Sequence, residues 1–525
     1  MTMTYTSVSF LLLVMLCVFA YYIVPKKYRW CVLLVASMSF YAIVCLKYIA
    51  FILLTAFTTY GGGRWLCSYI EKTDKSLKEN KKTWTKEQKD SFKQNVTTHK
   101  KLICAAILIL NFGVLCFLKY YNMFALTFGA PALKLFLPLG ISFYTFQSMG
   151  YIIDIYRKKF TAEKNPLKLL LFVSFFPQII QGPISFYGDL AHQLYEGNDY
   201  DFKNFKEGAL LIAWGFFKKM VIADRLVEGI NTITGGYRSY SGTLILSAAI
   251  IYALQLYADF SGGVDISRGV SQLFGIDLAE NFRRPYFSRS ISEYWRRWHI
   301  TLGAWLKEYL FYPIAMSKLF MRFSKKLKAR FGMKIAKVLP VSIASLITFV
   351  IIGVWHGANW KYAAFGVWNG GIIMVSTLLE ERFGIIKKRL KISDKNKCFI
   401  AFQMIRTFIV VIVGYYFDIA ADFSSAMEMM FKSITDFHIT EIFTRAYFSV
   451  IGLPIRELML VMLCTGVLLI VSILQERSKQ TLRSVICTKG FAIECFVFLL
   501  LFFSVVVFAS YGPGTDPADF YYMQF

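Results

Sequence analysis

The chain has 525 residues, of which 56% are hydrophobic and only 18% are charged. Soluble domains carry roughly 25% charged residues, so this composition is too poor in charge for a soluble protein. The net charge of +26 comes from basic residues that fall mostly in short connections between apolar segments. That distribution is typical of membrane proteins and does not favour nucleic-acid binding. We therefore predict an integral membrane protein that binds no nucleic acid.

Apolar segments recur along the whole chain, and a helix needs about 20 residues to cross a bilayer. The candidate spans lie at about 8–24, 30–46, 49–69, 102–118, 133–153, 207–223, 242–260, 338–356, 359–379, 398–417, 458–475 and 491–510. A further apolar segment at 167–184 is interrupted by Pro177 and Pro183. A kinked or re-entrant helix, covered by protein, suits that segment better than a span. The sequence predicts an all-α, polytopic fold with ten to twelve crossings.

The charged connections predict the orientation in the membrane. The strongly basic connections are 72–101, 318–337, 382–397 and 477–489. The stretches 418–441 and 511–525 are acidic instead. Because Lys and Arg are enriched in cytoplasmic loops, we expect the basic connections inside and the acidic stretches outside. This threading places both termini outside, makes the first apolar segment an uncleaved helix, and makes 71–101 a Lys-rich cytoplasmic loop, either a solvated helix or a disordered arm.

Cysteines and common enzyme motifs give no sign of a metal site. The ten Cys residues mostly lie in apolar segments and include no CxxC pair, so we interpret them as small buried hydrophobic residues. No G-x-S-x-G, H-E-x-x-H, Walker or G-x-G-x-x-G motif occurs. Asp154, Asp259 and Asp265 lie at or near apolar segments. Structural pairing with Arg157, Arg268 or backbone groups is favoured over catalysis for these carboxylates.

Two of the five histidines stand out. Three of them lie in polar connections and are interpreted as solvated surface residues: His99, His192 and His438. His299 lies within SISEYWRRWHITLGAWLKEYLFYP, and His356 lies within GVWHGANW at the end of a long apolar run. An ionisable residue inside a membrane protein is a functional candidate, and imidazole is suited to accept a hydroxyl proton near neutral pH. His356 is therefore a candidate catalytic base, with a buried structural histidine as the alternative. The flanking Gly353 and Gly357 permit close backbone approach.

The segment 291–310 has the pattern of an amphipathic helix. At 100° per residue, one charged arc lies within roughly 60° of Glu293. That arc contains Arg296, Arg297, Lys307 and Glu308. The opposite face carries Trp295, Trp298, Leu302, Trp305, Leu306 and Tyr309. His299 falls on the apolar side, so we predict a helix that lies at the membrane interface or lines a pocket, with His299 pointing inward.

Six stretches of the sequence match the pattern of one known family. They are LPLGISFYTFQSMGYIIDIYR (137–157), FFPQIIQGPI (175–184), YADFSGGVDISRG (257–269), the stretch 281–314 that contains RRWHITL, GVWHGANWKYAAFGVWNG (353–370) and FYYMQF (520–525). The chain resembles the membrane-bound O-acyltransferase family, in particular its bacterial alginate O-acetylation branch. RRWHITL and GVWHGANW carry the most weight, since two such histidine motifs rarely coincide by chance. The small residues of YADFSGGVD also suit close helix packing.

The resemblance implies an acyltransferase with about eleven membrane helices, plus re-entrant and amphipathic helices, around a central tunnel. We expect one membrane domain over 1–525, with a catalytic core segment at 281–370. His356 matches the family's catalytic histidine, and His299 matches its second characteristic histidine. The residues expected to bind substrate are Trp295, Trp298, Trp305, Trp355 and Asn359. No tightly bound cofactor and no metal are expected, because the acyl group comes from a thioester substrate, acetyl-CoA or an acyl-carrier protein.

The implied reaction is transfer of an acyl group, acetyl in the first place, to hydroxyls of an extracytoplasmic glycan such as exopolysaccharide or peptidoglycan. The implied partner is an SGNH-type extracytoplasmic acyltransferase, and the implied location is the bacterial cell membrane. Asn369 and the stretch 415–420 depart from the family pattern and leave the acceptor and the partner open. D-alanyl transfer to teichoic acid is the alternative within the class. A membrane transporter is the alternative from another class, but it predicts paired unwound segments in two halves, which the sequence does not show.

Overall fold

The computed structural model describes residues 3–451 and 454–509, without the side chains of residues 445 and 446. Over these ranges the chain is helical, and the only β-type pairing there is an isolated antiparallel bridge between Phe282 and Trp298. The predicted all-α fold is confirmed. The acidic tail 511–525 and its terminal stretch 520–525 lie outside the described residues.

The α-helices follow one another with short connections. They are α1 (Val8–Ile23), α2 (Arg29–Cys45), α3 (Ile49–Glu79), α4 (Lys86–Thr127), α5 (Ile141–Tyr156), α6 (Pro166–Ser174), α7 (Tyr187–Glu196), α8 (Phe202–Phe216), α9 (Asp224–Gly235), α10 (Gly242–Leu273), α11 (Ile291–Arg297), α12 (Ile300–Leu306), α13 (Tyr312–Ala315), α14 (Lys318–His356), α15 (Trp360–Arg389), α16 (Lys397–Ile419), α17 (Phe423–Thr435), α18 (Arg445–Val450), α19 (Ile455–Ser478), α20 (Leu482–Ile486) and α21 (Phe491–Phe508). Two π-helical stretches, Phe217–Ala223 and Lys307–Phe311, follow α8 and α12. Short 3₁₀ turns lie at Lys26–Tyr28, Leu46–Tyr48, Tyr237–Ser239, Pro285–Phe287 and Ile439–Phe443.

Eight helical segments of the described chain are long and apolar enough to cross a membrane. They are Lys26–Glu79, which joins α2 and α3, Lys86–Thr127, Gly242–Leu273, Lys318–His356, Trp360–Arg389, Lys397–Ile419, Ile455–Ser478 and Phe491–Phe508. α1 is also apolar but has only 16 residues. Each of the twelve predicted apolar segments contains a helix, so the multi-pass architecture is confirmed. The number of crossings stays a prediction.

The chain divides into two compact units. The first comprises Met1–Ala209 and Ser267–Ala279, and the second comprises Leu210–Ile266 and Glu280–Phe525. Both histidine motifs lie in the second unit. That the whole chain acts as one catalytic domain stays a prediction.

In the first unit, the segment with two prolines is interrupted as predicted. α6 ends at Ser174, and the residues that follow are buried without regular helix. The Tyr5 hydroxyl donates to the Pro177 carbonyl at 2.6 Å and accepts from the Ile180 N–H at 3.3 Å. These bonds satisfy backbone groups that a helix would otherwise pair internally. The segment is therefore covered by protein, which is the condition that the prediction of a re-entrant segment required.

The Lys-rich connection 71–101 is helical and exposed. α3 continues to Glu79, and α4 already begins at Lys86. Thr85 caps α4, because its hydroxyl accepts from the Gln88 N–H while the Gln88 side chain accepts from the Thr85 N–H. Of the two alternatives for this connection, the solvated helix is confirmed, and its cytoplasmic location stays a prediction.

In the second unit, small residues allow two helices to touch. A Cβ atom added to Gly262 of α10 would lie 2.9 Å from the Gly215 carbonyl oxygen, and one added to Gly215 of α8 would lie 2.7 Å from that of Gly262. The close packing predicted for YADFSGGVD is therefore confirmed.

Buried ion pairs flank this helix contact. Lys218 pairs with Asp265 at 2.6 Å, and Lys219 pairs with Asp259 at 2.5 Å. In the first unit, Asp154 pairs with Lys159 at 3.0 Å. Each of the three aspartates is paired, as the structural interpretation predicts, but the lysine partners were not anticipated, and the absence of a catalytic role stays a prediction. All ten cysteines are free thiols. Four are buried as predicted, namely Cys17, Cys67, Cys104 and Cys464, but the prediction is wrong for the others, of which four are partly buried and two, Cys116 and Cys398, are exposed.

Candidate active site

The segment around His299 is interrupted and does not form one helix. α11 ends at Arg297, Trp298 is extended, and His299 adopts the left-handed conformation with φ 45° and ψ 53°. α12 then begins at Ile300 and gives way to a π-helical stretch at Lys307. The predicted continuous helix over 291–310 is therefore wrong. A helical wheel assumes a constant 100° per residue, so it does not hold across a break of this kind.

Hydrogen bonds from residues 281–283 hold the break. The Arg283 N–H donates to the Arg297 carbonyl at 2.9 Å, and the Ile300 N–H donates to the Asn281 carbonyl at 3.1 Å. The Asn281 Oδ1 accepts from both the N–H and the hydroxyl of Thr301, at 2.9 and 2.6 Å. These bonds replace the i to i−4 bonds of a continuous helix, which is why the chain can leave helical geometry here.

The break turns His299 into the interior, where it is only 2% exposed. Its ring meets Phe260 edge-on at 4.9 Å between centroids and lies 6.1 Å from the Trp355 ring. Burial, and as a smaller cause the neighbouring His356, lower the pKa of His299 to about 3. The inward orientation predicted for His299 is confirmed. Its imidazole is therefore neutral at physiological pH.

His356 is the last residue of α14 and is 9% exposed. Its ring lies 5.1 Å from the Trp355 ring and 5.7 Å from the Phe365 ring of α15. A Cβ atom on Gly353 would lie 2.1 Å from the Tyr362 carbonyl oxygen, and one on Gly357 would lie 2.2 Å from the Tyr362 ring. The close approach predicted from these glycines is confirmed. It lets α15 fold back tightly against the end of α14.

Trp355 contacts both imidazoles, so the two histidine motifs meet at one indole. Trp298 stacks on Tyr294 at 5.6 Å and lies 6.2 Å from Phe260, the ring that also meets His299. Three of the five residues predicted to bind substrate thus surround the histidines or the rings that they touch, namely Trp355, Trp298 and Trp295, the last of which lies 6.1 Å from Phe365.

The other two predicted residues have different surroundings. Trp305 packs against Tyr309 at 5.0 Å in the π-helical stretch. Asn359 caps α15, because its Oδ1 accepts from the Lys361 N–H at 3.0 Å, and its Nδ2 donates to the Ala421 carbonyl at 3.4 Å. A cap explains Asn359 without substrate, so its role in binding stays a prediction.

Both departures from the family pattern place a residue that bonds to a side chain of α11. The buried Asn369 donates to the Phe365 carbonyl at 2.9 Å and accepts from the Trp295 indole N–H at 3.1 Å. Tyr415, in the stretch 415–420, lies 2.8 Å from the Tyr294 hydroxyl, oxygen to oxygen. In the sequence, both positions are recognisable as polar residues within apolar helices. Their bonding role could not be inferred from that signal alone.

Sequence reasoning also missed two polar anchors of the site. The buried Lys361 donates to the Asp418 carbonyl at 3.0 Å and to the Ala420 carbonyl at 2.5 Å, which satisfies orphan carbonyls at the end of α16. Glu476 of α19 accepts from Arg284 at 2.6 Å and from Arg297 at 3.0 Å. Arg297, which belongs to the charged arc of the segment 291–310, is thus paired within the protein.

The remaining polar candidates lie where the sequence suggested. His99, His192 and His438 are exposed, so their interpretation as surface residues is confirmed. Over residues 3–451 and 454–509, no group of three or more His, Cys, Asp or Glu side chains is placed to hold a metal ion.

Residues 161–417, which contain both histidines, match the model of the membrane-bound O-acyltransferase family. The match to this family covers about half of the chain. It is 35% identical over 279 residues to a protein of Pseudomonas syringae pv. tomato named "Probable alginate O-acetylase AlgI", a match that covers 53% of this chain and 48% of the relative. It is 32% identical over 304 residues to the peptidoglycan O-acetyltransferase of Helicobacter pylori, with 52% and 54% covered.

A less similar relative is the teichoic acid D-alanyltransferase of Streptococcus thermophilus. The identity is 28% over 288 residues, which cover 53% of this chain and 67% of that relative. The chain spans about half the length of the alginate and peptidoglycan relatives that it matches. The matched range covers α11, α12, α14 and α15, so the shared sequence includes the elements that carry the site.

Proposed function

We propose that the protein is an O-acyltransferase of the bacterial cell membrane. It moves an acyl group, acetyl in the first place, from a thioester donor on the cytoplasmic side to hydroxyls of an extracytoplasmic glycan. The observation that carries the proposal is the meeting of His299 and His356 at Trp355 in a chain that matches this family. The names of its relatives support exopolysaccharide or peptidoglycan as the acceptor class.

His356 is the proposed general base of a direct transfer. Its imidazole takes the proton of the acceptor hydroxyl while the hydroxyl oxygen forms a bond to the thioester carbonyl carbon. The tetrahedral adduct then collapses, the carbon–sulfur bond breaks, and the leaving thiolate takes the proton from His356. No Ser or Cys of the sequence lies in a recognised activated-nucleophile motif, which favours this direct route over an acyl-enzyme.

His299 is proposed to support the reaction as a neutral hydrogen-bonding group. Burial and the neighbouring His356 keep its pKa near 3, so it offers one N–H donor and one acceptor across the working pH range. A neutral imidazole can orient the acceptor hydroxyl or donate to the developing oxyanion without adding a charge. The aromatic rings around both histidines exclude water, which protects the thioester from hydrolysis.

The donor is proposed to be acetyl-CoA or an acyl-carrier protein, used as a substrate and not as a resident cofactor. An SGNH-type extracytoplasmic acyltransferase is the proposed partner that receives or completes the transfer. D-alanyl transfer to teichoic acid is a second candidate, supported by the 28% identity to a D-alanyltransferase. The higher identity to two O-acetyl-transferring relatives favours acetylation.

Mass spectrometry of envelope glycans tests this function. A deletion strain should lose one class of acetyl ester, and the wild-type gene should restore it. The mass that is missing from the glycan identifies both the acyl group and the acceptor. A gene carrying His356→Gln should not restore the ester, although the protein should reach the membrane. Loss of D-alanyl esters would favour the second candidate. Unchanged esters on every glycan of the deletion strain would contradict both.

A further inference from the structure

The first part of α14, which belongs to the second unit, forms a separate helix. The helix is interrupted at Gly332, where φ is 82° and ψ is 173°. The Ser324 hydroxyl donates to the Ala336 carbonyl at 2.7 Å. In a straight helix, twelve residues would separate these groups by about 18 Å. The chain therefore turns back at Gly332, and residues 318–331, here called the basic helix, lie with Ser324 beside Ala336, just before the apolar part of α14 that begins near 338.

The basic helix has one charged face and one apolar face. At 100° per residue, its six basic side chains share one side of the helix and all six are exposed. They are Lys318, Arg322, Lys325, Lys326, Lys328 and Arg330. The opposite side carries Phe320, Phe323 and Leu327, which are partly or fully buried. The apolar face is thus occupied by protein, and the charged face is presented outward.

No carboxylate neutralises this face from its own sequence. Residues 318–337 contain eight Lys and Arg residues and no Asp or Glu. In the described part of the chain, the ion pair that this segment makes joins Lys334 to Glu381, beyond Gly332. Six like charges held on one face destabilise each other unless a counter-anion is bound.

The position of the basic helix relative to the bilayer follows from chain connectivity. Residues 333–337 separate Gly332 from the apolar segment that begins near 338, a rise of about 7 Å. The polar layer on each side of the hydrocarbon core is about 5–7 Å thick. Two large apolar side chains lie among the basic ones on this face, since Leu319 is 73% exposed and Met321 is 51% exposed. Basic and apolar side chains presented together at headgroup depth are typical of interfacial helices.

We propose that the basic helix is a binding surface for anionic phospholipids of the cytoplasmic leaflet. Charge complementarity selects an anionic occupant, and the exposed Leu319 and Met321 favour a lipid over a soluble phosphate compound. Lipid headgroups reach this face by lateral diffusion at the depth where the helix lies. The surface anchors the end of α14 remote from His356, and the proposal does not rest on the proposed acyl transfer.

The test is lipid retention by the full-length protein, measured by native mass spectrometry after purification in mild detergent. Wild-type protein should retain phosphatidylglycerol in preference to phosphatidylcholine. Each Lys or Arg near an anionic surface strengthens binding about fivefold, so the triple variant K325Q/K326Q/K328Q should bind phosphatidylglycerol about 100-fold more weakly. A triple variant with arginine at the same positions should bind as the wild type does.

The matched control is K72Q/K75Q/K78Q, which removes the same charge from exposed lysines of α3, where acidic residues alternate with basic ones. This control should retain phosphatidylglycerol. If K325Q/K326Q/K328Q does not fold, as judged by its thermal midpoint, raising the salt concentration over wild-type protein should release the lipid instead.

Three results would overturn the proposal. The first is equal retention of phosphatidylglycerol by wild type and K325Q/K326Q/K328Q. The second is equal retention of phosphatidylcholine and phosphatidylglycerol by wild type. The third is displacement of the lipid by the soluble deacylated headgroup glycerophosphoglycerol at equal concentration, which would show a site for soluble phosphate compounds. None of these readouts depends on acyl transfer, so failure here leaves the proposed function untouched.

Discussion

Replacing Asn281 should disturb the site from a distance. Asn281 is 1% exposed, and its Oδ1 accepts from both the N–H and the hydroxyl of Thr301. These bonds fix the first turn of α12 immediately after His299, which is held in the left-handed conformation. Asn281→Leu keeps a similar side-chain volume and removes the acceptor. Asn281→Asp keeps an acceptor oxygen in the same place and is the matched control.

The expected loss of stability follows from the two donors of Thr301 that lose their acceptor. A buried donor left unsatisfied costs about 1–3 kcal/mol, and two donors of Thr301 share this acceptor, so we expect a loss of about 2–6 kcal/mol of stability. The left-handed conformation of a residue other than glycine costs about 1–2 kcal/mol. Once the bonds that offset this cost are gone, the population with His299 in place should fall about 5–30-fold, and the rate of acyl transfer with it.

The assay compares both variants with wild type in nanodiscs. The thermal midpoint of unfolding is measured by intrinsic Trp fluorescence. Acyl transfer is measured with a labelled thioester donor and an oligosaccharide acceptor. Asn281→Leu should have a lower midpoint and a transfer rate reduced by about tenfold, while Asn281→Asp should keep more of both. A fully active Asn281→Leu enzyme with an unchanged midpoint would refute the reasoning that these bonds hold His299.

Three further predictions concern the same architecture. Trp298→Ala should reduce transfer per folded molecule by about tenfold or more, because this buried indole packs against Phe260 and Tyr294 at the site. Lys307 is exposed, so Lys307→Ala should change transfer by less than about twofold. Equal effects of the two substitutions would contradict the placement of Trp298 at the site. Because the pKa of His299 is about 3, its imidazole stays neutral above that pH. His299→Gln should therefore lower the plateau of kcat/KM and leave the midpoint of its acid limb in place; a midpoint moved by about one pH unit would contradict this. Cysteines introduced at 383–397 should react with impermeant reagents only from the cytoplasm and those at 513–522 only from outside; the reverse pattern would overturn the orientation.

The helices were predictable because the signal for them is local. An apolar run of sufficient length specifies a membrane helix without knowledge of its partners, which is why α2, α16 and α21 appear close to where hydropathy places them. The close backbone approach at Gly353 and Gly357 was also predictable, since a glycine beside a tight turn commonly marks a position where another part of the chain comes close. The exposure of the polar connections followed from their charge alone.

The break at His299 was not predictable, because its cause lies elsewhere in the chain. The segment 291–310 has a regular amphipathic pattern, and nothing within it interrupts a helix. The Asn281 and Arg283 backbone groups that pair across the break precede it by more than a dozen residues. For the same reason, the lysine partners of Asp259 and Asp265 were missed, since the lysines lie on another helix. Tertiary hydrogen bonds of this kind override a periodic pattern.

The most direct test of the account is the activity of a His356→Gln variant in nanodiscs, with intact-mass readout of the protein. General-base assistance is typically worth about 10²–10⁴-fold, so transfer should fall by that amount while the protein inserts and keeps its thermal midpoint. Wild-type protein given donor without acceptor should show no acyl adduct formed at a rate competent for turnover. A well-folded His356→Gln enzyme with full activity would contradict the assignment of the base, and a kinetically competent wild-type adduct would contradict direct transfer.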